Sequence, residues 1–496
     1  MRRSDLTARL RPLWLRFRLS FLSAFFSGLL AHGFFLANKI PVDDDLPFFF
    51  GKGATTISGR WGLELLRFVL PDLSLPWLYG LLSLLLLSVC ACLIVHIFAI
   101  RSGLLQLLRS ALFITFPAET GILSYTFTTL PYAIALLLAI AAVAFLQRGG
   151  RLRWMAAPLA LLLSCSIYQG YFAFAPAFCV ILLLQALLKS DRPVGLLVRD
   201  GVEMLLALLL GAGLYGLSIL LMSRGLQLPV LTADVVDTER SLLFRFALTY
   251  SAFLHTLTRG YFGYIRGRVS QLCHAVLLVL TLAGVLRDLK NRSVSRWLLC
   301  LLGLALLPPA AYCLYLLADT SYIHSLALYS FVSVYVLCAV LLDTEEPFSL
   351  RLRPVAAAAL SVVLIGNVYF ANAFSLCSYL EAEQAKSFYT GLITRVQATP
   401  GYDESCSLAL FGDPQLLRTD LRERFDLGSF LLPGNNISRG VHAPEILRLY
   451  LGWDVPMADE AELAALRDSG LLADMPVYPC DGSVLRTGDV VVVRLG

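Results

Sequence analysis

The sequence predicts a mainly α-helical protein, a polytopic membrane bundle of about eleven transmembrane helices carrying a small extracytoplasmic α/β domain at its C-terminal end. Three observations predict it. Of 496 residues, 58% are hydrophobic and only 15% charged, where soluble domains carry about 25%. The charged residues before position 375 cluster between apolar runs of membrane length. The chain then changes character, from 30 basic and 18 acidic residues in 1–374 to 10 basic and 17 acidic in 375–496.

The apolar runs fall at 19–38, 77–99, 110–124, 131–146, 154–167, 171–188, 202–222, 270–286, 297–317, 326–342 and 354–374. All thirty Lys and Arg residues before 375 lie outside them, and the only acids inside are Glu119 and Glu203. With the N-terminus in the cytoplasm, the pieces 1–18, 101–109, 147–153, 189–200, 287–296 and 343–353 hold 20 cations, and the opposite side holds 10. The positive-inside rule therefore orients the N-terminus to the cytoplasm and the C-terminal domain outside. The basic start "MRRSDLTARLRPLWLRFR" has no small-residue cleavage site and reads as an uncleaved anchor. The stretch "SLLFRFALTYSAFLHTL" (241–257) carries Arg245 and His255, and it reads as a helix lying in the interface or packed on the bundle. Runs 110–124 and 154–167 are short for a core about 30 Å thick. Short or Pro-broken helices survive where they face protein or a wet cavity.

Residues 1–374 are thus the membrane part and 375–496 the outer domain. A helix continues from the eleventh run through "LEAEQAKSFYTGLITRVQ". In the tail, "CSLALFGD" and "DVVVVRLG" read as buried strands, and "APEILRLYLG" and "DEAELAALRDSG" as amphipathic helices. Most of the eleven cysteines sit in or beside apolar runs, where a thiol behaves as a small apolar group. Cys406 and Cys480 lie in the outer domain, where a disulfide between them is open.

Chemistry has few places to reside. "VDDDLPFFFGKG" sets Asp43, Asp44 and Asp45 in the first outer loop, just past the first apolar run. Charges there must lie in water or a wet cavity, since an Asp at mid-bilayer costs about 2.5 to 3.5 kcal/mol. Crowded carboxylates repel, so one of the three can serve as a general base; the bland reading is a solvated acidic loop. Asp43 and Asp45 also form a D-x-D pair. No strand–helix alternation surrounds it, so no metal is expected, although the spacing leaves a divalent cation open. "GKGATT" lacks the first Gly of a phosphate loop. In "ISGRWGLELLRFVL", Arg60, Glu64 and Arg67 form one polar stripe on an apolar helix, where Arg60 either pairs with Glu64 or holds a phosphate. Glu119, two residues past Pro117, is either an ionisable group at membrane depth or simply outside a helix that Pro117 ends. Tyr168 and Gln169 in "SIYQGYF", and Tyr322 and His324 in "DTSYIHSLALY", sit at outer turns and offer hydrogen bonds to a polyol. Arg259 is a cation of the long outer loop 223–269.

The order "VDDDLPFF…SGRWGLELL", "FITFPAETGILSYTF", "SIYQGYFAF" and "MPVYPCDGSVLRTGDVVVVRL" resembles the serotype-converting type II glucosyltransferase family, polytopic enzymes of the GT-C architecture. The resemblance implies transfer of a sugar, glucose or another hexose, from a polyprenyl-phosphate carrier to a cell-surface glycan such as O-antigen. It places the reaction on the outer face of a bacterial inner membrane, with inversion and without cofactor or nucleic acid. It also implies an acid of the first outer loop as base. The family pattern is an adjacent Asp pair followed shortly by an Arg. This chain has a third Asp and no Arg in "LPFFF", and the register adopted is Asp44, then Asp45, then Asp43. Arg60 or Arg259 would neutralise the departing phosphate. The competing class is a transporter or flippase of lipid-linked sugars, which should show repeated halves and charges near mid-membrane; neither is visible. A glycan polymerase or ligase of another architecture is the third class.

Overall fold

The computed structural model describes residues 3–51, 53, 55–228, 240–259, 268–318, 323, 325–414, 423–425, 427 and 440–496, with residues 3–11, 13, 43, 259 and 440 described by backbone alone. The membrane part is built from α1 (Arg3–Ala37), α2 (Trp61–Arg67), α3 (Pro76–Phe98), α4 (Gly103–Thr115), α5 (Pro117–Ser124), α6 (Thr129–Arg148), α7 (Ala157–Ile167), α8 (Phe174–Lys189), α9 (Val194–Leu220), α10 (Leu242–Arg259), α11 (Arg268–Leu289), α12 (Val294–Ala311), α13 (Ser333–Leu342) and α14 (Pro347–Gln397). Among the described residues, nine helical stretches are long and apolar enough to cross a membrane: those of α1, α3, α6, α8, α9, α11, α12, α13 and α14. The third and fifth predicted runs are shorter helices, Gly103–Thr115 and Leu152–Ile167.

The third run departs from expectation for a local reason. Pro117 disfavours helical geometry in the residue before it, and Phe116 is extended (φ −59°, ψ 137°). The chain therefore breaks into α4 and α5 instead of one helix over 110–124. Helix α4 begins seven residues earlier than expected and carries Arg109 into the interior. Arg109 is 1% exposed; its Nη2 donates to Ala91 O (2.6 Å), Ser110 Oγ (2.8 Å) and Ser20 Oγ (3.4 Å). The expectation that no cation lies among the apolar helices fails here.

Burial separates the centre of the bundle from its rim. In Ser325–Leu342, 94% of the residues are buried, against 22% in an 18-residue window of Val194–Gly225, so α13 is the hub and α9 lies at the rim. Helix α10 is not among the nine crossing stretches. It turns Thr249, Phe253, Thr256 and Leu257 inward and leaves Leu242, Leu243 and Phe244 exposed. Tyr312 Oη donates to Thr256 Oγ1 at 3.0 Å, and Arg245 to Leu316 O at 2.8 Å. The helix over 241–257 packs on the bundle through these contacts.

Helix α14 runs unbroken through 51 residues, about 76 Å at 1.5 Å per residue. A bilayer core about 30 Å thick cannot contain it, so its second half projects and carries the C-terminal sheet. There β1 (Ser407–Phe411) pairs parallel with the central β3 (Val490–Arg494), and β2 (Val484–Thr487) pairs antiparallel with β3. Helix α15 (Glu460–Asp468) covers it, started by a capping box between Asp459 and Glu462. Cys406 is buried, Cys480 is exposed, and both are free.

At the end of the bundle away from the sheet, cations satisfy helix ends. Arg296 donates to the carbonyls of Leu187, Ser190 and Arg192. The Asp343 carboxylate accepts from Arg101 N (2.6 Å) and Ser102 N (2.9 Å), tying the end of α13 to the start of α4. Asp343→Ala removes both charge-assisted bonds. It should cost about 1 to 3 kcal/mol and lower the thermal midpoint of the detergent-solubilised protein.

Candidate active site at the loop between α1 and α3

The loop between α1 and α3 is held by one largely buried ion pair. Asp45 is 1% exposed, in a 3-10 turn over Asp43–Asp45. Its Oδ2 pairs with Lys39 Nζ, and its Oδ1 accepts from Thr126 Oγ1 at 2.7 Å. Lys39 Nζ donates also to Ser74 Oγ (2.8 Å) and Thr126 Oγ1 (2.7 Å). Burial pushes the Lys39 ammonium below its usual pKa, and Asp45 pulls it back in part. The pair joins the beginning of the loop, its end at Ser74, and the turn between α5 and α6. Both oxygens of Asp45 are engaged, so Asp45 is poorly placed to accept a proton, and the D-x-D spacing does not present two open carboxylates. Among the described residues no group of three or more His, Cys, Asp or Glu comes together to hold a metal.

Asp44 points elsewhere. A 3-10 helix has about three residues per turn, so neighbouring side chains diverge by about 120°, and burying Asp45 turns Asp44 outward. Asp44 is exposed and lies within electrostatic reach of Arg60 and Tyr132.

Arg60 is the N-cap of α2 and leaves the polar stripe expected of it. Glu64 binds Thr55 and Arg67 instead, the latter at 2.9 Å, and Arg67 also pairs with Asp72. Half-buried Arg60 donates Nη1 to Tyr132 Oη (2.9 Å) and Nε to Gln169 Oε1 (3.3 Å), leaving Nη2 without a hydrogen-bond partner among the described residues. Its guanidinium carbon lies 5.3 Å from the Tyr168 ring centre. Burial opposes its charge, and Tyr132, Tyr168, Tyr215 and Asp44 outweigh that, so its pKa is raised. Gln169 donates to Ser58 O (2.7 Å) and Tyr215 Oη (2.8 Å). It therefore acts as a brace for Arg60, where the sequence suggested a polyol contact.

Beneath the guanidinium the tyrosines form a floor. Tyr132 and Tyr168 stack with centres 4.4 Å apart and planes at 22°, and Tyr171 meets Tyr168 edge-on at 4.9 Å. Under that floor sits Glu119, 1% exposed. Its Oε2 has no hydrogen-bond partner among the described residues, and it lies within electrostatic reach of Tyr168, Tyr171 and Tyr329. Pro117 starts α5 and does not release Glu119 into water, so the reading that places it merely outside is excluded.

The C-terminal domain reaches this region. Tyr450 lies close enough to Asp45 to feel its charge, and Lys386 of α14 lies 5.7 Å from the Tyr450 ring centre. Tyr322 and His324 lie outside the described residues, as do the side chains of Asp43 and Arg259. The structure thus brings together Asp44, Arg60, Tyr168 and Gln169, with Glu119 below. It adds Lys39, Ser74, Thr126, Tyr132 and Tyr215, which sequence reasoning passed over. The polar run "YTFTTLPY" was the available signal for Thr126 and Tyr132.

The sequence model of a family described as Glucosyl transferase GtrII matches residues 33–342. No curated protein and no solved structure matches the chain.

Removing one member of a buried ion pair costs about 3 to 5 kcal/mol. Asp45→Ala should accordingly reduce folded protein, read by thermal unfolding and membrane yield, and Asp44→Asn should leave both unchanged. A Cβ on Gly62 would overlap Ser166 Oγ and lie 2.9 Å from Ser166 O, so Gly62→Ala should displace α2 and with it Arg60. A misplacement of about 1 Å at a reacting centre costs about a hundredfold in rate, which a transfer assay on the purified variant would read.

Proposed function

The chain belongs to the glucosyl transferase GtrII family and is a multi-pass membrane glycosyltransferase, and we propose that it takes glucose from a polyprenyl-phosphate donor and attaches it to a surface glycan on the outer side of the membrane. We read residues 1–374 as the catalytic membrane part and 375–496 as an outer domain, with the N-terminus cytoplasmic in a bacterial inner membrane. The observation that carries this reading is the exposed Asp44 carboxylate beside a half-buried Arg60 whose Nη2 has no hydrogen-bond partner among the described residues.

The chemistry follows from those two groups. Asp44 accepts the proton of an acceptor hydroxyl as its oxygen forms a bond to the anomeric carbon. The bond from that carbon to the phosphate oxygen breaks on the opposite face, so configuration inverts. The electron pair stays on the polyprenyl phosphate, and Arg60 meets the charge that develops there. Its planar donors suit phosphate oxygens. Tyr132 and Tyr168, both buried and stacked on each other, hold Arg60 in place from below. A lipid donor needs no nucleotide site and arrives sideways from the bilayer, which is consistent with a site at the ends of the helices.

General-base removal costs about 10²- to 10⁴-fold in rate. Asp44→Asn should lose sugar transfer by that factor, with normal insertion, in an assay with purified protein, polyprenyl-phosphate glucose and acceptor glycan; full activity would end the assignment. Arg60→Lys should lose turnover even though charge is kept, because a single ammonium cannot hold Tyr132 and Gln169 in the guanidinium's planar geometry and still present a donor to the phosphate. Orientation is checked separately: exposed Cys480 should react with a membrane-impermeant maleimide in spheroplasts, and protection until lysis would invert the topology.

A further inference from the structure

At the end of the bundle remote from Asp44 and Arg60, the end of α11, the start of α12 and the start of α14 enclose a groove of about 540 Å³ lined by Ala283, Leu286, Arg287, Lys290, Trp297 and Phe348. Phe348 and Lys386 stand on one continuous helix, about 57 Å apart at 1.5 Å per residue. The groove is therefore separate from the transfer site, and nothing in the proposed reaction uses it.

Its lining is graded. Ala283 and Leu286 lie one turn deeper on α11 than Arg287 and Lys290. Leu286 is 56% exposed and Phe348 45%, so apolar surface faces the bilayer. Trp297 closes the wall, its ring fixed by a 3.1 Å bond from Nε1 to Leu289 O. Tryptophan is enriched at this level of a membrane. The cations form the rim. Arg287 is occupied by Asp288 (2.7 Å), Glu346 (3.2 Å), Ser349 and Leu341 O (3.0 Å). Arg292 is paired with Asp191. Lys290 is exposed and makes no ion pair among the described residues. The two segments that build the rim, 287–296 and 343–353, hold six cations and four acids, and of the acids facing the groove, Asp288 and Glu346 are already bound to Arg287.

We propose that this groove seats one anionic phospholipid of the adjacent leaflet, with its phosphate on Lys290 beside Arg287 and an acyl chain along Leu286, Ala283, Trp297 and Phe348. Basic pockets between membrane helices hold anionic headgroups in this way. A free phosphate would meet Lys290 but leave the apolar walls empty, so the occupant is a lipid. The position at the boundary opposite the transfer site selects a structural phospholipid over the polyprenyl carrier.

The test is native mass spectrometry of the purified full chain from mixed micelles of phosphatidylglycerol and phosphatidylcholine. One phosphatidylglycerol should be retained in preference to phosphatidylcholine. Lys290→Gln should weaken that retention about five-fold, Lys290→Arg should restore it, and Arg148→Gln, an exposed cation on another helix, should not change it. Equal losses in Lys290→Gln and Arg148→Gln would reduce the effect to diffuse charge and overturn the proposal, as would no preference for the anionic lipid. Displacement by inorganic phosphate or by polyprenyl phosphate at equal concentration would assign the groove to a different ligand and also overturn it.

Discussion

The Lys39–Asp45 pair is the constraint from which the candidate site follows. A lysine and an aspartate buried at the lip of a bilayer are tolerated only together and fully hydrogen-bonded. Ser74 and Thr126 complete that bonding, so one cluster pins both ends of the first outer loop to the turn between α5 and α6. Two consequences appear within a few residues. The 3-10 turn that buries Asp45 presents Asp44 to water, and the fixed loop delivers Arg60 to the rim of the tyrosine floor. A loop otherwise free to wander is thereby converted into part of a rigid site, which is what positioning chemistry requires.

The two short helices make room for this arrangement. At about 20 Å, α4 is too short to cross alone, and the Pro117 break lets α5 turn beneath the floor with Glu119. Helix α7 ends at Ile167, and the turn that follows supplies Tyr168 and Gln169. Gly62 lets α2 sit directly on that turn. Short helices, a proline break and one glycine thus combine to bring three outer turns to one place, while the long helices supply the wall. The projecting half of α14 brings Lys386 and Tyr450 over the same loop.

Much of the frame was legible in the sequence because hydropathy reports a one-dimensional constraint. Nine apolar runs appear as helices of crossing length, 241–257 as a helix outside that set, and the valine run at 490–493 as the central strand. The site was legible only in part. Asp44, Arg60, Tyr168, Gln169 and Glu119 were picked out as residues, but their partners were not, since Arg60 to Gln169 spans 109 positions and no periodicity encodes it. Charge counting treated Lys39 as a topological marker and Arg109 as a helix boundary; Arg109 proves to be buried and Lys39 largely so, its side chain 20% exposed. The helical stripe assigned to Arg60 failed because α2 begins one residue later, which turns Arg60 from a helix face into a cap.

The proposed addition of a sugar to a surface glycan can be read from the mass of surface polysaccharide from cells with and without the protein. The repeat unit should be heavier by one hexose when the protein is present. An unchanged repeat mass, with the protein folded and in the membrane and its donor supplied, would contradict the proposal.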